Sequence, residues 1–432
     1  MNKIHLRLAL LLCTTHFTVQ PSLPPLGMFL PYDINIKMKK PGLRNAQINV
    51  LGEKSYKVQG YATDNKEDTT FLVNVLQVYE EKQNIVSMYQ GYDINGNIVQ
   101  TLTTPFTQLL DSIAGGPGGG VSNLNNGLYT PTANLSCGQF AVSGVYGLGQ
   151  GFYLSAYLPF YFAKMSNTKW TYSGTNALFS DIAIQQELVD TFAQDALKYF
   201  GLHIGNWNTK GLGDLTVLAE WQRDFPQRRP TLRNVQANAR IGIIVPTALK
   251  SCDNVVFPVY FGSNGAVGLP FGGGLSFNLG NVADLGFSAQ FWYYWSNEQI
   301  RRVKTFATQT TLLFPIQTQT YVQHAIIQNF NLNGSVYSFC KRFQLKGLYQ
   351  YWRQGRDVLI PFNSSIHADV INSAISLDEK TRHQFSLFGI FCPHNEDFKK
   401  IVPQFEIFWK VATNGMRDAI ASSYGAQLSV TF

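Results

Sequence analysis

The side chains best suited to chemistry are thinly spread along this 432-residue chain. Five of its histidines, His203, His324, His367, His383 and His394, lie beyond the N-terminal apolar segment. No two of them have the H-x-x-x-H or H-E-x-x-H spacing that sets two imidazoles on one helix face for zinc. Cys137, Cys252, Cys340 and Cys392 form no C-x-x-C pair. In an oxidising compartment they would allow one or two disulfides, and isolated thiols are an equal reading. A serine nucleophile would need a G-x-S-x-G elbow or a neighbouring acid and histidine, and Gly272-Gly273-Gly274-Leu275-Ser276 lacks both. The glycine stretches at 115–120 and 272–274 carry no Lys-Ser/Thr pair and no following helix, so they are not phosphate loops. They read as a linker and as strand glycines that admit a close backbone. The expectation is a chain with no catalytic residue, no metal and no cofactor, and not an enzyme.

What the chain does offer is polar side chains at every second position. From Val235 to Val245 the odd residues Val235, Ala237, Ala239, Ile241, Ile243 and Val245 are apolar, and the even face carries Gln236, Asn238 and Arg240. Asp214, Glu220, Gln222, Lys346, Gln350, Glu406 and Lys410 likewise fall opposite apolar positions on their strands. A charge facing lipid at the bilayer midplane costs roughly 2–4 kcal/mol. All of these residues are therefore expected to face the lumen of a membrane barrel. Two readings of their role stay open: contact with a passing solute, or pairing with one another and with a plug.

Composition supports the membrane setting. Charged residues make up 14% of the chain, against about 25% in soluble domains. No Asp, Glu, Lys or Arg occurs from Ser112 to Ala163, from Asn254 to Ala283, or from Thr305 to Cys340. Each run exceeds the about 20 residues a membrane helix needs, yet each is filled with Asn, Gln, Gly, Ser and Thr. Strands, not helices, fit such runs. With 31 Phe, 21 Tyr and 7 Trp there is ample surface to bury, which excludes disorder. The net charge of +7 comes from scattered basic residues with no run beyond pairs such as Arg301-Arg302, so no nucleic-acid partner is expected.

The fold expected is all-β: a closed antiparallel transmembrane β-barrel of about 12 to 14 strands with a few short helices on the connections. Period-two alternation marks strands near 45–60, 137–148, 150–163, 212–225, 232–247, 271–281, 284–297, 300–315, 324–339, 342–355, 381–394, 399–413 and 421–432. Thirteen is odd where bacterial barrels are even, and 45–60 alternates least cleanly. Helices are expected at 182–200, where apolar residues recur every four positions before Gly201, at 363–377, and after Thr104-Pro105. Residues 1–22 read as a signal peptide, with Lys3 and Arg7 ahead of an apolar core at Leu8–Cys13. Residues 23–136 read as a segment with one first strand and an element set against the rim or into the lumen as a plug. Residues 137–432 read as the barrel.

Two features resemble known families. Tyr424, Ala426, Leu428, Val430 and Phe432 alternate to a terminal aromatic, and this resembles the assembly signal of bacterial outer-membrane barrels. That resemblance implies the barrel insertion machinery and outer-membrane lipid as partners. Gly211-Leu212-Gly213-Asp214-Leu215, followed by a strand ending Ile243-Ile244-Val245-Pro246-Thr247, resembles the transporter-type barrels related to meta-pathway aromatic-degradation proteins and the long-chain fatty-acid transporter. The implied role is passive passage of small, hydrophobic solutes. The match departs from the P-T-G of that family at Ala248 and covers about 40 residues. The alternatives are a non-conducting surface barrel used for adhesion or protein interaction, and a soluble β-sandwich; oligomeric state is left open. Replacing Phe432 with Asp is expected to abolish insertion, checked by the loss of the heat-modifiable folded band in membrane fractions. Normal insertion of that variant contradicts the reading of the terminus.

Overall fold

The computed structural model describes residues 18–19, 46–64, 69–89, 93–94, 97–98, 128–173, 192–194, 196–248, 254–280, 282–337, 342–393 and 402–432. Nearly all of the expected signal peptide, the helix expected after Thr104-Pro105 and the glycines at 115–120 lie outside the described residues. In chain order the strands of four residues or more are β1 (Ala46–Asp64), β2 (Thr69–Val73), β3 (Leu128–Gly149), β4 (Phe152–Tyr172), β5 (Trp207–Leu212), β6 (Leu215–Pro226), β7 (Leu232–Val245), β8 (Gly268–Leu279), β9 (Ala283–Tyr294), β10 (Asn297–Val303), β11 (Ile316–Gln323), β12 (Ile327–Tyr337), β13 (Phe343–Gln354), β14 (Val358–Pro361), β15 (Lys380–Phe391), β16 (Val402–Met416) and β17 (Asp418–Thr431).

Twelve of these strands form one closed antiparallel barrel, in the order β1-β17-β16-β15-β13-β12-β9-β8-β7-β6-β4-β3 and back to β1. Closure falls on β1. Its residues pair with β17 from Gln47↔Thr431 to Tyr61↔Asp418, and with β3 from Ala46↔Tyr146 to Lys54↔Gly138. Ala46 and Phe432 exchange two backbone hydrogen bonds, 3.2 and 3.0 Å. The residues expected to be the weakest strand thus share both of their edges.

The surplus strand is 300–315. Its residues leave the wall: β10 and β11 pair with each other, with β14 and, in parallel along β10, with Thr18–Val19 in a separate four-stranded sheet over one mouth of the barrel. The physical reason is visible in Arg301 and Arg302, adjacent cations that point to opposite faces of one strand and are both buried. Arg302 donates to the carbonyls of Pro315 (2.9 Å) and Phe200 (2.6 Å), a setting that neither lipid nor an open lumen supplies. Helix expectations shorten as well. Residues 192–194 and 196–200 are helical, ending where Gly201 turns left-handed (φ 62°) and its N–H donates to Leu197 O; residues 182–191 lie outside the described residues. In 363–377 only α1 (Ala368–Asn372) and a 3-10 turn at Ile375–Leu377 form. There the Asn372 side chain bonds both backbone groups of Leu359 on β14, which fixes the helix end.

Alternation along the wall sorts the side chains into two populations. Outward residues form an apolar belt, with Ile407 67% and Leu332 60% exposed, while their inward neighbours Lys410, Asn331 and Asn329 are buried. The two ends differ. At one end turns are short, and Gly149-Gln150-Gly151 takes φ of 93°, 53° and 86°, which costs the two glycines nothing and holds Gln150 in the left-handed region between them. Long connections gather at the other end, where they pack around Leu76, Ile85, Met88, Leu202, Val256 and Leu313. Three adjacent glycines on β8 let neighbouring strands press close, since a Cβ on Gly273 would meet Asn238 O at 2.6 Å. Near the closing seam a Cβ on Gly425 would meet both Gly52 O and Phe408 Cζ at 2.4 Å, whereas Gly52 itself faces open space. Gly425→Val is expected to lower the temperature at which heat converts the folded gel band to the unfolded one, and Gly52→Ala to leave it unchanged.

Candidate permeation pathway

The inner face divides into two arcs. On β6, β7 and β8 the inward residues Glu220, Gln222, Gln236, Asn238 and Arg240 are half-buried. Register sets Arg240 between Glu220 and Gly272, and Asn238 between Gln222 and Gly274. β8 contributes glycines at both of these positions, where the backbone of β9 approaches within 2.6 Å of where a Gly274 Cβ would stand. Ser155 donates to Glu220 across the neighbouring strand pair, and Asp224 on β6 accepts from Asn234 and Gln236 at the short-turn end (2.9 and 3.0 Å).

On the opposite arc the inner face is packed. Gln350 donates to Asn331 at 3.0 Å and Asn331 to Ser288 at 3.2 Å, an amide ladder across β13, β12 and β9. Lys346 is buried 5.0 Å above the Phe388 ring. Lys410 lies 3.2 Å from Glu53 with almost no solvent contact on either side chain. Ser423 and Gln139 also donate to Glu53, and Tyr157 donates to Gln139. Arg382 clasps Asp418 through two guanidinium nitrogens and stacks over Trp352 at 5.0 Å. Glu406 is half-buried and opposite Gln427 in register. A buried ion costs several kcal/mol to desolvate, so each pair here is surrounded by further donors or a ring face.

Asp214 sits elsewhere. It stands in the turn ahead of β6, where its carboxylate accepts from the backbone N–H of Ala248 (3.0 Å) and of Ser263. Burial holds its carboxyl above the usual carboxylate range, an effect that those N–H donors only partly offset. Gly213 beside it would place a Cβ 2.5 Å from Tyr161 and 2.8 Å from Phe261 O. The G-x-G-D-L string therefore anchors the loops of the mouth to the top of the wall. Sequence reasoning missed Glu53, Gln139, Arg382 and Asp418. Glu53 was legible in principle, because Gln47, Asn49, Glu53 and Ser55 occupy alternate positions of β1, but Lys54 and Lys57 blur that pattern.

The long-loop mouth is roofed by the described connections. Glu80 accepts from Thr311 N at 2.6 Å and the Asn84 N–H donates to Thr310 at 2.9 Å. Burial pushes the Glu80 carboxyl up, opposed by the Thr311 N–H. Val303, Phe314, Val322, Leu359, Ile371 and Leu377 form a second apolar core beneath the small sheet. Beside the roof the wall forks. Above Lys54 and Gly138, β1 and β3 part, leaving a cleft between Tyr56–Gln59 and Ala133–Ser136. Asn74 bridges the fork: its side chain accepts from Ala133 N (2.9 Å) and donates to Ala133 O (3.0 Å), as a neighbouring strand would.

A closed wall, an apolar belt and a paired polar interior define a transmembrane β-barrel of the outer-membrane type. No protein-family model matches the chain, and no curated protein matches it. Among solved structures it is similar to an outer membrane channel from Pseudomonas putida F1, at TM-score 0.44 and 11% identity over 92% of this chain and 98% of that one. It is also similar to the beta domain of the Bordetella autotransporter BrkA, at TM-score 0.35 and 6% identity over 90% and 99% of the two chains. The Ralstonia pickettii toluene transporter TbuX is similar at TM-score 0.31 and 9% identity, over 90% and 89%. Among the described residues no group of three His, Cys, Asp or Glu side chains is placed to hold a metal.

Removing one partner of a buried pair strands the other charge, at a cost of about 3–5 kcal/mol, whereas replacing both is close to neutral. Lys410→Met is therefore expected to lower the urea midpoint of vesicle-refolded protein sharply, and adding Glu53→Gln to restore most of the loss. Additive losses in the double variant would mean that the two groups do not act as a pair.

Proposed function

We propose that this protein is a channel of the bacterial outer membrane that passes small solutes without a cofactor. The observation that carries the reading is the half-buried arc of β6, β7 and β8, where Arg240, Asn238 and Gln236 face a strand whose inward positions are Gly272, Gly274 and Ser276. A polar inner surface that stays half-buried, inside a wall that is packed elsewhere, is a route for solute rather than a filled core. The short turns at one end and long connections at the other match the periplasmic and external ends of such barrels. In this reading residues 1–22 are removed on export, and the outward face of β17, Tyr424, Leu428, Val430 and Phe432, is presented to the insertion machinery before it meets lipid. The roof over the long-loop mouth favours a second reading, a surface barrel whose connections bind other proteins.

Purified protein in planar bilayers distinguishes the two. The channel reading expects discrete conductance steps, and in a potassium chloride gradient Arg240→Glu is expected to move the reversal potential toward cation preference. An inserted, heat-modifiable barrel with no conductance would sink the channel and leave the surface-binding reading. Conductance unaltered in selectivity by Arg240→Glu would place the route away from this arc.

A further inference from the structure

The outer surface of β1, β3, β4 and β5 carries a group of cations that neither the inner face nor the roof uses. Lys54 and Lys57 on β1, Lys164 on β4 and Lys210 on β5 are exposed, and none of them enters an ion pair among the described residues. Strands β3, β4 and β5 contain no Asp or Glu, and β1 contains two: Glu53, which faces inward to Lys410, and Asp64, its last residue. Register brings the cations together. Lys54 pairs with Gly138, Gly138 with Phe162 and Phe162 with Lys210, one outward row across four strands. With strands about 4.8 Å apart, the two lysines of this row stand about 14 Å from each other. Gly138 leaves the floor between them to the Phe162 ring, since a Cβ on that glycine would collide with it. In the next row toward the long connections, Lys164 stands between Ser136 and Asn208.

Height decides what these cations meet. From Phe152 at the short-turn end to Phe162, the outward residues of β4 are all apolar. At about 3.3 Å per residue and a tilt of about 40°, that stretch rises about 25 Å, the full apolar band of an outer-membrane barrel. Lys54, Lys164 and Lys210 therefore stand at the long-loop edge of the band. There a lysine stem lies along apolar surface while its ammonium reaches the headgroup layer. Clustered lysines with no carboxylate among them repel one another until lipid supplies the anions. From these positions we infer that this sector is a binding site for a phosphorylated glycolipid of the outer leaflet. Its phosphates are held by Lys54, Lys164 and Lys210, its sugars lie over the Phe162 ring and bond to Ser136 and Asn208, and its acyl chains run down the paired Phe140 and Phe160. The inference goes beyond the channel reading and takes from it only the orientation, with the long connections outside.

Native mass spectrometry of the detergent-solubilised full chain tests it, with bisphosphorylated lipid A as the probe and monophosphorylated lipid A and phosphatidylglycerol as comparisons. Saturable retention of the bisphosphorylated lipid is expected, several-fold weaker for the monophosphorylated form and at least tenfold weaker for phosphatidylglycerol. Combining Lys54→Gln, Lys164→Gln and Lys210→Gln is expected to weaken retention at least tenfold in protein that keeps its heat-modifiable band. Combining Arg228→Gln, Arg229→Gln and Arg233→Gln, an equal loss of charge at the exposed short turn between β6 and β7, is expected to leave it unchanged. No saturable retention, equal retention of either comparison lipid, or an equal loss in the two triple variants overturns the inference. Binding in detergent depends on neither conductance nor orientation. A silent barrel that binds therefore removes the channel and leaves the site, and a conducting barrel that does not bind does the reverse.

Discussion

Every backbone N–H and C=O that meets lipid must find its partner in the protein, because hydrocarbon offers none. In this chain that requirement converges on β1, which pairs with β17 on one side and β3 on the other. Without β1 the wall would end in two exposed edges, and the Ala46 and Phe432 backbones would lose the bonds they exchange. The apolar belt, the alternation of the inner face and the direction of every inward charge are consequences of that closure, since a strand can separate lipid from lumen only when it is held on both sides.

The inner face then answers a second demand, that charges removed from water be paired. The packed arc meets it with Glu53–Lys410 and Arg382–Asp418, each supported by donors or rings from adjacent strands. The same arc carries the neutral ladder Ser288–Asn331–Gln350. Along β6 and β7 the inward Glu220, Gln222, Gln236, Asn238 and Arg240 instead stay half-buried.

How much of this was legible depends on range. Wall strands whose inner and outer faces differ in polarity, such as Val235–Val245 or Phe405–Val411, announce themselves by period two. The 45–60 segment does so poorly, because Lys54 and Lys57 are outward and exposed where lipid-facing residues should be apolar, yet its partners at both edges make it a wall strand. The segment 300–315 alternates well enough to pass and is no wall strand, because alternation records a change of environment across a strand and not which environments they are. The mouth was unreadable for a different reason. Its bonds join residues far apart in sequence, Asn84 with Thr310 and Gln83 with Leu312, and no local pattern encodes them. Asp214 shows the mixed case: its place near a strand start was evident, but its engagement with Ala248 and Ser263 required the loops to be in place.

The fork between β1 and β3 shows how the two demands meet. A β-bulge between Ser55 and Lys57 shifts β1 against β17, Tyr56 turns outward to stack on Tyr424 and accept from Trp409, and from Ser136 upward β3 keeps β4 on one edge but loses β1 on the other, until Gln83–Asn84 pairs with Leu128–Tyr129. Its exposed backbone at Ala133 would be costly there. Asn74 supplies both missing bonds from a side chain, and Gln77 donates to Pro131 O just above. A side chain can satisfy one peptide unit but cannot extend a ladder, so the cleft below remains, lined by Asn134 and Ser136 together with Leu72 and Val73 of β2. The wall is thus continuous in hydrogen bonding only as far as Lys54, and above that point it is held by the same connections that roof the mouth.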